Sequence, residues 1–309
     1  MAKPRSLAYT LSAMQNFFAS GTAITAAPAS AGRFEEDLPA MAAQAYALSE
    51  RLCVRCRIHH AVWPYLRLAN MCGGPEAGAP VVEGTLRKLL APGGRRVLIA
   101  GACDSGLVGT VARAGLDLKP EITLVDRCET SLELSRRFAA EWSLPIRTKR
   151  LDLTGLELEG FDIVYANSLL QFIAEDRRVD VLARMRRALR PGGHLVSVDN
   201  TGARIEGEIA PGYHSGYADW LIAELERRGI PLPDTRDAIQ QLATDYSHER
   251  LSREGAFAEP AIIDDLMTKA GFVMRSRELL TMPLTASYKS FVAKLAKRRF
   301  LAVAQSPIP

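Results

Sequence analysis

Long apolar runs, paired cysteines and a surplus of charge of either sign are all missing from this 309-residue chain. Without 18 or more consecutive apolar residues, the sequence offers no membrane-spanning helix. Five unevenly spaced cysteines supply no disulfide framework, which makes the cytoplasm the expected compartment. The 39 basic and 35 acidic residues leave a net charge of +4, too little to argue for a nucleic-acid surface. The basic clusters Arg184-Met185-Arg186-Arg187 and 294–299 carry no interleaved aromatics, so they read as solvated helix surface and a strand entry. No internal repeat occurs. What remains is the composition of an ordinary globular protein, with enough chain for one main domain plus additions.

Two apolar runs organise the middle of the chain. The first, residues 96–106, is a strand breaking into a glycine-bounded loop, Gly101-Ala102-Cys103-Asp104-Ser105-Gly106, with a helix expected from Gly106. The second, residues 121–126, is a strand whose last residue is Asp126. A glycine loop lets backbone N–H groups approach a ligand, and an acid about 20 residues further on is placed to accept bonds from two ribose hydroxyls. The spacing from Gly101 to Gly106 is not G-x-G-x-x-G, which argues against a dinucleotide-dependent oxidoreductase.

Further along come residues 161–172, read as a strand that ends in polar residues, then a helix over 176–189, the turn Arg190-Pro191-Gly192-Gly193 and a strand over 194–200. In this order the residues resemble the class I S-adenosylmethionine-dependent methyltransferases. The resemblance covers 81–200 and resumes over 260–306. It implies an α/β fold: a doubly wound, mostly parallel seven-stranded sheet with an antiparallel last strand. It also implies the cofactor S-adenosyl-L-methionine, with S-adenosyl-L-homocysteine as product. Gly101 and Ala102 would back onto the methionine end, and Gly106 would open the helix facing it. Asp126 would clasp the ribose, Arg127 would lie beside the adenine, and Asp152 with Leu153 would hold the adenine edge. Asn167 and Ser168 would lie under the sulfonium. The loop departs from the family pattern: Ile99 stands where an acid is usual, and Asp104 either takes over the ammonium contact or caps the helix.

Outside this core the chain divides into an N-terminal helical region (1–80) and an insertion (201–256), flanking a domain made of 81–200 and 257–309. Leu7, Leu11, Met14, Phe17 and Phe18 lie at helical spacing. Residues 34–71 read as a long helical segment that Pro64 breaks or bends. On a helix Cys53, Cys56 and His60 share a face, and with Cys72 they can be drawn as zinc ligands. Plain packing is the simpler reading, and no metal is expected. Among the aromatics and imidazoles, His60, Tyr65 and Tyr217 are candidate substrate contacts.

In the resembled family such additions form a lid over the transferred methyl group. The expected activity is therefore methyl transfer to an oxygen or nitrogen of a small molecule, with no nucleic acid or membrane partner and a homodimer left open. The base for a hydroxyl acceptor would come from His214, His248, His59 or His60; His214, with Tyr213 and Asn167, forms the candidate catalytic set. Two alternatives stand beside this reading. One is another transfer from the same cofactor, of the aminopropyl type; the other is a non-catalytic scaffold paired with an active methyltransferase.

Overall fold

The computed structural model describes residues 34–72, 74–202, 212–253, 257–280 and 298–308. The amphipathic helix expected over residues 7–18 lies outside them. Two helices come first, α1 (Leu38–Leu52) and α2 (Arg57–Leu68), followed by α3 (Ala79–Leu90). The core then alternates: β1 (Arg96–Ala100), α4 (Gly106–Ala114), β2 (Glu121–Asp126), α5 (Glu129–Glu141), β3 (Ile146–Arg150), β4 (Phe161–Asn167), α6 (Arg178–Ala188) and β5 (Leu189–Thr201). After it come α7 (Tyr213–Arg227), α8 (Arg236–Arg253), α9 (Pro260–Lys269), β6 (Val273–Leu280) and β7 (Arg298–Gln305).

The seven strands form one sheet in the order β3-β2-β1-β4-β5-β7-β6. The first five pair in parallel, and β7 runs antiparallel between β5 and β6. This is the expected doubly wound architecture. Side-chain alternation along β1 explains why helices cover both faces. Val97 and Ile99 pack with α3 and α4, whereas Leu98 and Ala100 pack with α6 and α9. Because β1 has β2 on one side and β4 on the other, the chain reverses its winding there. A crevice opens at that point, beyond the carboxyl ends of the strands.

Two local expectations need correction. The Pro191-Gly192-Gly193 turn lies inside β5, beside a register shift in its pairing with β4. A Cβ on Gly193 would stand 3.0–3.1 Å from three backbone oxygens, so only glycine lets the strands close there. The N-terminal segment is not one helix bent at Pro64, which is accommodated within α2. Instead the chain leaves the helix at Cys53, whose ψ of 131° is extended, and re-enters at Cys56.

The helices outside the sheet pack on one another. Tyr46 of α1 and Val62, Tyr65 and Leu66 of α2 bury against Tyr217 and Leu221 of α7 and Tyr246 of α8. They form a helical cap across the carboxyl edge of the sheet. Among the described residues no helix is long and apolar enough to cross a membrane.

Candidate active site

Between cap and sheet lies a cavity of about 300 Å³. Its sheet side carries Gly101, Ala102, Asp104, Asp126, Arg127, Asp152, Leu153, Asn167 and Ser168, and its cap side includes His59, His60, Trp63 and Tyr246. Nine of the ten residues expected at the nucleoside therefore share one wall. Gly106 is buried behind it, at the start of α4.

The glycine loop is held by its neighbours. Gly101 adopts φ +73°, and its N–H donates to the Val125 carbonyl at 2.8 Å. A Cβ there would meet Leu169 Cδ1 at 2.8 Å, so only glycine fits and the backbone is bare at this point of the cavity wall. Asp126 terminates β2 with its carboxylate fixed: Oδ2 accepts from Ala102 N–H at 2.9 Å and Oδ1 from Cys128 N–H at 2.6 Å. Each oxygen keeps a further lone pair for a ligand hydroxyl. Burial pushes this carboxyl upward despite the two amides. Asp152 accepts from the Thr154 N–H at 2.9 Å and hydroxyl at 2.8 Å, which hold its pKa down. A carboxylate for a vicinal diol, a second acid at the neighbouring strand end and apolar walls at Leu151, Leu153 and Ile173 suit a nucleoside.

Asp104 caps the helix, as the sequence allowed, and is also paired with a cation. Its Oδ1 accepts from Gly106 N–H at 2.9 Å, holding the first turn of α4, and its Oδ2 pairs with Arg67 at 2.6 Å. Arg67, 2% exposed, also pairs with Glu36 at 2.8 Å and with the half-exposed Glu76. Burial raises the Glu36 carboxyl above its ordinary value, with the Arg67 charge opposing it. Sequence reasoning missed this network, since nothing local pairs Arg67 with an acid 37 residues away.

A second cation was misread as strand-entry surface. Arg299 is 1% exposed and underlies the site. It donates to Asn167 Oδ1 at 2.7 Å and Asn200 Oδ1 at 3.2 Å, while Asn200 donates to Ser168 Oγ at 3.0 Å. Burial lowers its pKa. Ser168 itself sits at φ +52°, a strained position at the end of β4.

The candidate catalytic and substrate residues separate. Asn167 and His60 line the cavity; Tyr213, His214, Tyr65 and Tyr217 are not among its lining residues. His214 accompanies Ser247, 2.7 Å away, and its ring stacks on His248 at 3.4 Å between centroids. Tyr65 and Tyr217 are buried in the cap core, where large aromatic area is most stabilising. The other histidine in the wall is His59, stacked on Trp63 at 5.6 Å and Tyr246 at 5.7 Å, with Phe172 edge-on at 5.3 Å. His60 turns toward three cysteines. Burial would depress its pKa, but hydrogen bonds to Cys128 and Cys56 push it up to about 10.

Residues 97–193 match the family model described as a methyltransferase domain, and the sheet order with its strand-end acids agrees with that match. In sequence, the chain is similar to carboxy-S-adenosyl-L-methionine synthases. The one from Pseudomonas putida (strain GB-1) is 31% identical over 128 residues, covering 38% of this chain and 51% of its own. That from Pseudomonas paraeruginosa is 37% identical over 140 residues, covering 42% and 55%. The chain thus spans about half the length of these curated relatives. Among solved structures, the Streptomyces coelicolor geranyl diphosphate C-methyltransferase aligns at a TM-score of 0.47 and 12% identity, covering 74% of this chain and 77% of that one. The Burkholderia thailandensis 1,6-didemethyltoxoflavin-N1-methyltransferase aligns at 0.44 and 16%, covering 75% and 79%.

Proposed function

We propose that the protein is an S-adenosylmethionine-dependent methyltransferase that delivers a methyl group to an oxygen or nitrogen of a small molecule held beneath the helical cap. One observation carries the reading: the glycine loop, Asp126, Asp152 and Asn167 converge on a single cavity that the cap closes from the other side. Asp126 would accept the ribose hydroxyls, Asp152 and the Leu153 backbone would hold the adenine edge, and Gly101 with Ala102 would meet the methionine end. Asn167 and Ser168, braced by Arg299, would face the reacting centre. The bound sulfonium supplies an electrophilic methyl group. The chain's own work is alignment and exclusion of water, and correct alignment alone replaces much of the entropy cost of the encounter.

For a hydroxyl acceptor, His59 takes the role that the sequence assigned to His214, because its ring is in the wall. An amine acceptor needs no such base. The aromatic stack of His59, Trp63 and Tyr246 favours a flat or apolar acceptor. Residues 1–80 and 201–256 together would act as the lid.

Calorimetric titration with S-adenosylmethionine, S-adenosylhomocysteine and NADH tests the reading. Micromolar binding of both sulfur nucleosides and none of NADH is expected. Asp126→Ala, which removes charge-assisted bonds to two hydroxyls, should weaken both on the order of 100-fold while leaving the circular dichroism unchanged. Absence of heat with either sulfur nucleoside would overturn the proposal and point to the scaffold reading.

A second reading is favoured by the similarity to carboxy-S-adenosyl-L-methionine synthases and by three arginines in the cavity wall, Arg55, Arg127 and Arg250. In it the site would handle a carboxylated sulfonium. Mass spectrometry of the nucleoside extracted from the purified protein separates the two readings, since the carboxylated form is heavier by the mass of carbon dioxide.

A further inference from the structure

At the cavity wall, where Cys56, His60 and Cys128 are among the lining residues, stands a group of side chains that methyl transfer does not need. Cys53 ends α1, Cys56 begins α2, His60 lies one turn into α2, and Cys128 precedes α5. The first three sit within eight residues of one another, at the join of α1 and α2, whereas Cys128 is 75 residues from Cys53. Yet their ligand atoms all lie within 4.8 Å of one another. Cys53 Sγ is 3.3 Å from His60 Nδ1 and 3.6 Å from Cys128 Sγ, and Cys128 Sγ is 3.6 Å from His60 Nδ1.

We propose that Cys53, Cys56, His60 and Cys128 bind one zinc ion in a closed tetrahedral site that pins the helical cap to the sheet beside Asp126. The distances fit the ion. Zinc–sulfur bonds of about 2.3 Å and zinc–nitrogen bonds of about 2.0 Å at tetrahedral angles put neighbouring ligand atoms roughly 3.5–3.8 Å apart. A disulfide does not explain the set, because Cys53 and Cys128 sulfurs stand at 3.6 Å, well beyond bonding distance, and two further ligands would be idle. Three thiolates and an imidazole are soft and borderline donors, which select zinc over magnesium or calcium.

The local chain geometry agrees with this. Zinc ligands commonly come in pairs on a tight turn, and the helix break at 53–56 is such a turn: Cys53-Val54-Arg55-Cys56 projects both thiols inward while Val54 is 81% exposed. An exposed valine at a broken helix is poor packing, which makes a purely apolar reason for the break inadequate. Thr130 Oγ1, 3.1 Å from Cys53 Sγ, can donate to a thiolate in the outer shell. With four protein ligands no position is left for water or substrate, so the ion is structural rather than catalytic.

Its place gives it a consequence. α1 meets α5 through a small apolar cluster, Met41, Ala45, Leu48 and Leu134, with Leu38 and Leu52 packed against it. Zinc would tie the same two helices together at their ends. The Cys128 amide also holds Asp126 Oδ1 at 2.6 Å, so fixing Cys128 fixes the carboxylate that faces the nucleoside. The metal assignment stands independently of the methyltransferase reading.

The test is metal content by mass spectrometry of the untagged full chain, expressed with zinc, followed by replacement with cobalt(II). One zinc per chain is expected, together with the thiolate-to-cobalt charge-transfer and tetrahedral absorption bands of the cobalt form. Cys53→Ser and Cys128→Ser should each lower zinc occupancy at least tenfold, whereas Cys72→Ser and Cys103→Ser should retain it. Should the ligand variants not fold, the cobalt spectrum of the unaltered chain still decides. Zinc-free protein without tetrahedral cobalt bands would overturn the proposal. So would unchanged occupancy in Cys128→Ser, or a Cys53–Cys128 disulfide in metal-free protein.

Discussion

Removing the guanidinium of Arg67 should be among the most damaging single changes in the chain. Arg67→Ala strands Glu36, 9% exposed, and Asp104, 3% exposed, both of which are paired with it in the native protein. Breaking one partner out of a buried ion cluster costs about 3–5 kcal/mol, because the remaining charges keep their desolvation penalty. Glu76 is half-exposed, so its share is screened and adds under about 1 kcal/mol. At roughly 2–4 °C per kcal/mol for chains of this size, thermal unfolding should fall by on the order of 10 °C.

The loss should depend on pH in a defined direction. Burial already raises the Glu36 carboxyl with Arg67 present, and deleting the cation removes its opposing effect. A carboxyl raised in the folded state favours folding at low pH and loses that contribution as pH rises through the raised value. The deficit of Arg67→Ala relative to the unaltered protein should therefore be larger at pH 8 than at pH 5. Urea unfolding at both pH values measures it. Adding Glu36→Gln and Asp104→Asn, which keep hydrogen-bonding atoms, should restore most of the loss. A deficit below about 1 kcal/mol, or one equal at both pH values, would refute the buried-charge argument.

Two further outcomes are expected. Gly101→Ala forces a Cβ to 2.8 Å from Leu169 at a φ of +73°. It should cost about 1–3 kcal/mol in stability and weaken sulfur-nucleoside binding more than any change on the outer cap, which calorimetry would show. Asp199 is 3% exposed, and burial raises it to about 6, with the Ser197 hydroxyl and Arg299 opposing. Its ionisation thus destabilises the fold as pH rises from about 4 through 6, so Asp199→Asn should gain up to about 3 kcal/mol at pH 7 and flatten stability across that window. A variant no more stable than its parent at pH 7 would count against this.

How much the sequence revealed follows from the range of each interaction. The loop from Gly101, the acid Asp126 and the strand order were legible because each signal sits within a few residues, and hydrophobic alternation marks a strand wherever it ends up in the sheet. Arg67 and Arg299 were not, since a buried cation is recognisable only once its acids and amides arrive, and apart from Glu76 these come from 31 to 132 residues away. The cysteines lie between these cases. Their helix-face grouping was visible from Cys53, Cys56 and His60, but a continuous helix suggested Cys72 as the fourth member. Breaking the helix at Cys53 turns the group toward Cys128 instead. His214 was singled out because a histidine in a glycine-flanked loop reads as accessible, whereas its ring partners, Ser247 and His248, lie on α8, out of reach of local sequence reasoning.

The position of β7 makes the site a late arrival in biosynthesis. Asn167 and Asn200 belong to strands completed by residue 201, yet the cation that orients both comes from residue 299. A chain still emerging from the ribosome can stack β1 to β5 and bury much of its apolar surface before that arginine exists. It would then have a sheet without a braced floor at the reacting end. Premature termination before β7 should therefore leave a folded-looking but ligand-blind protein, and competence to bind would report that synthesis has passed the last strand.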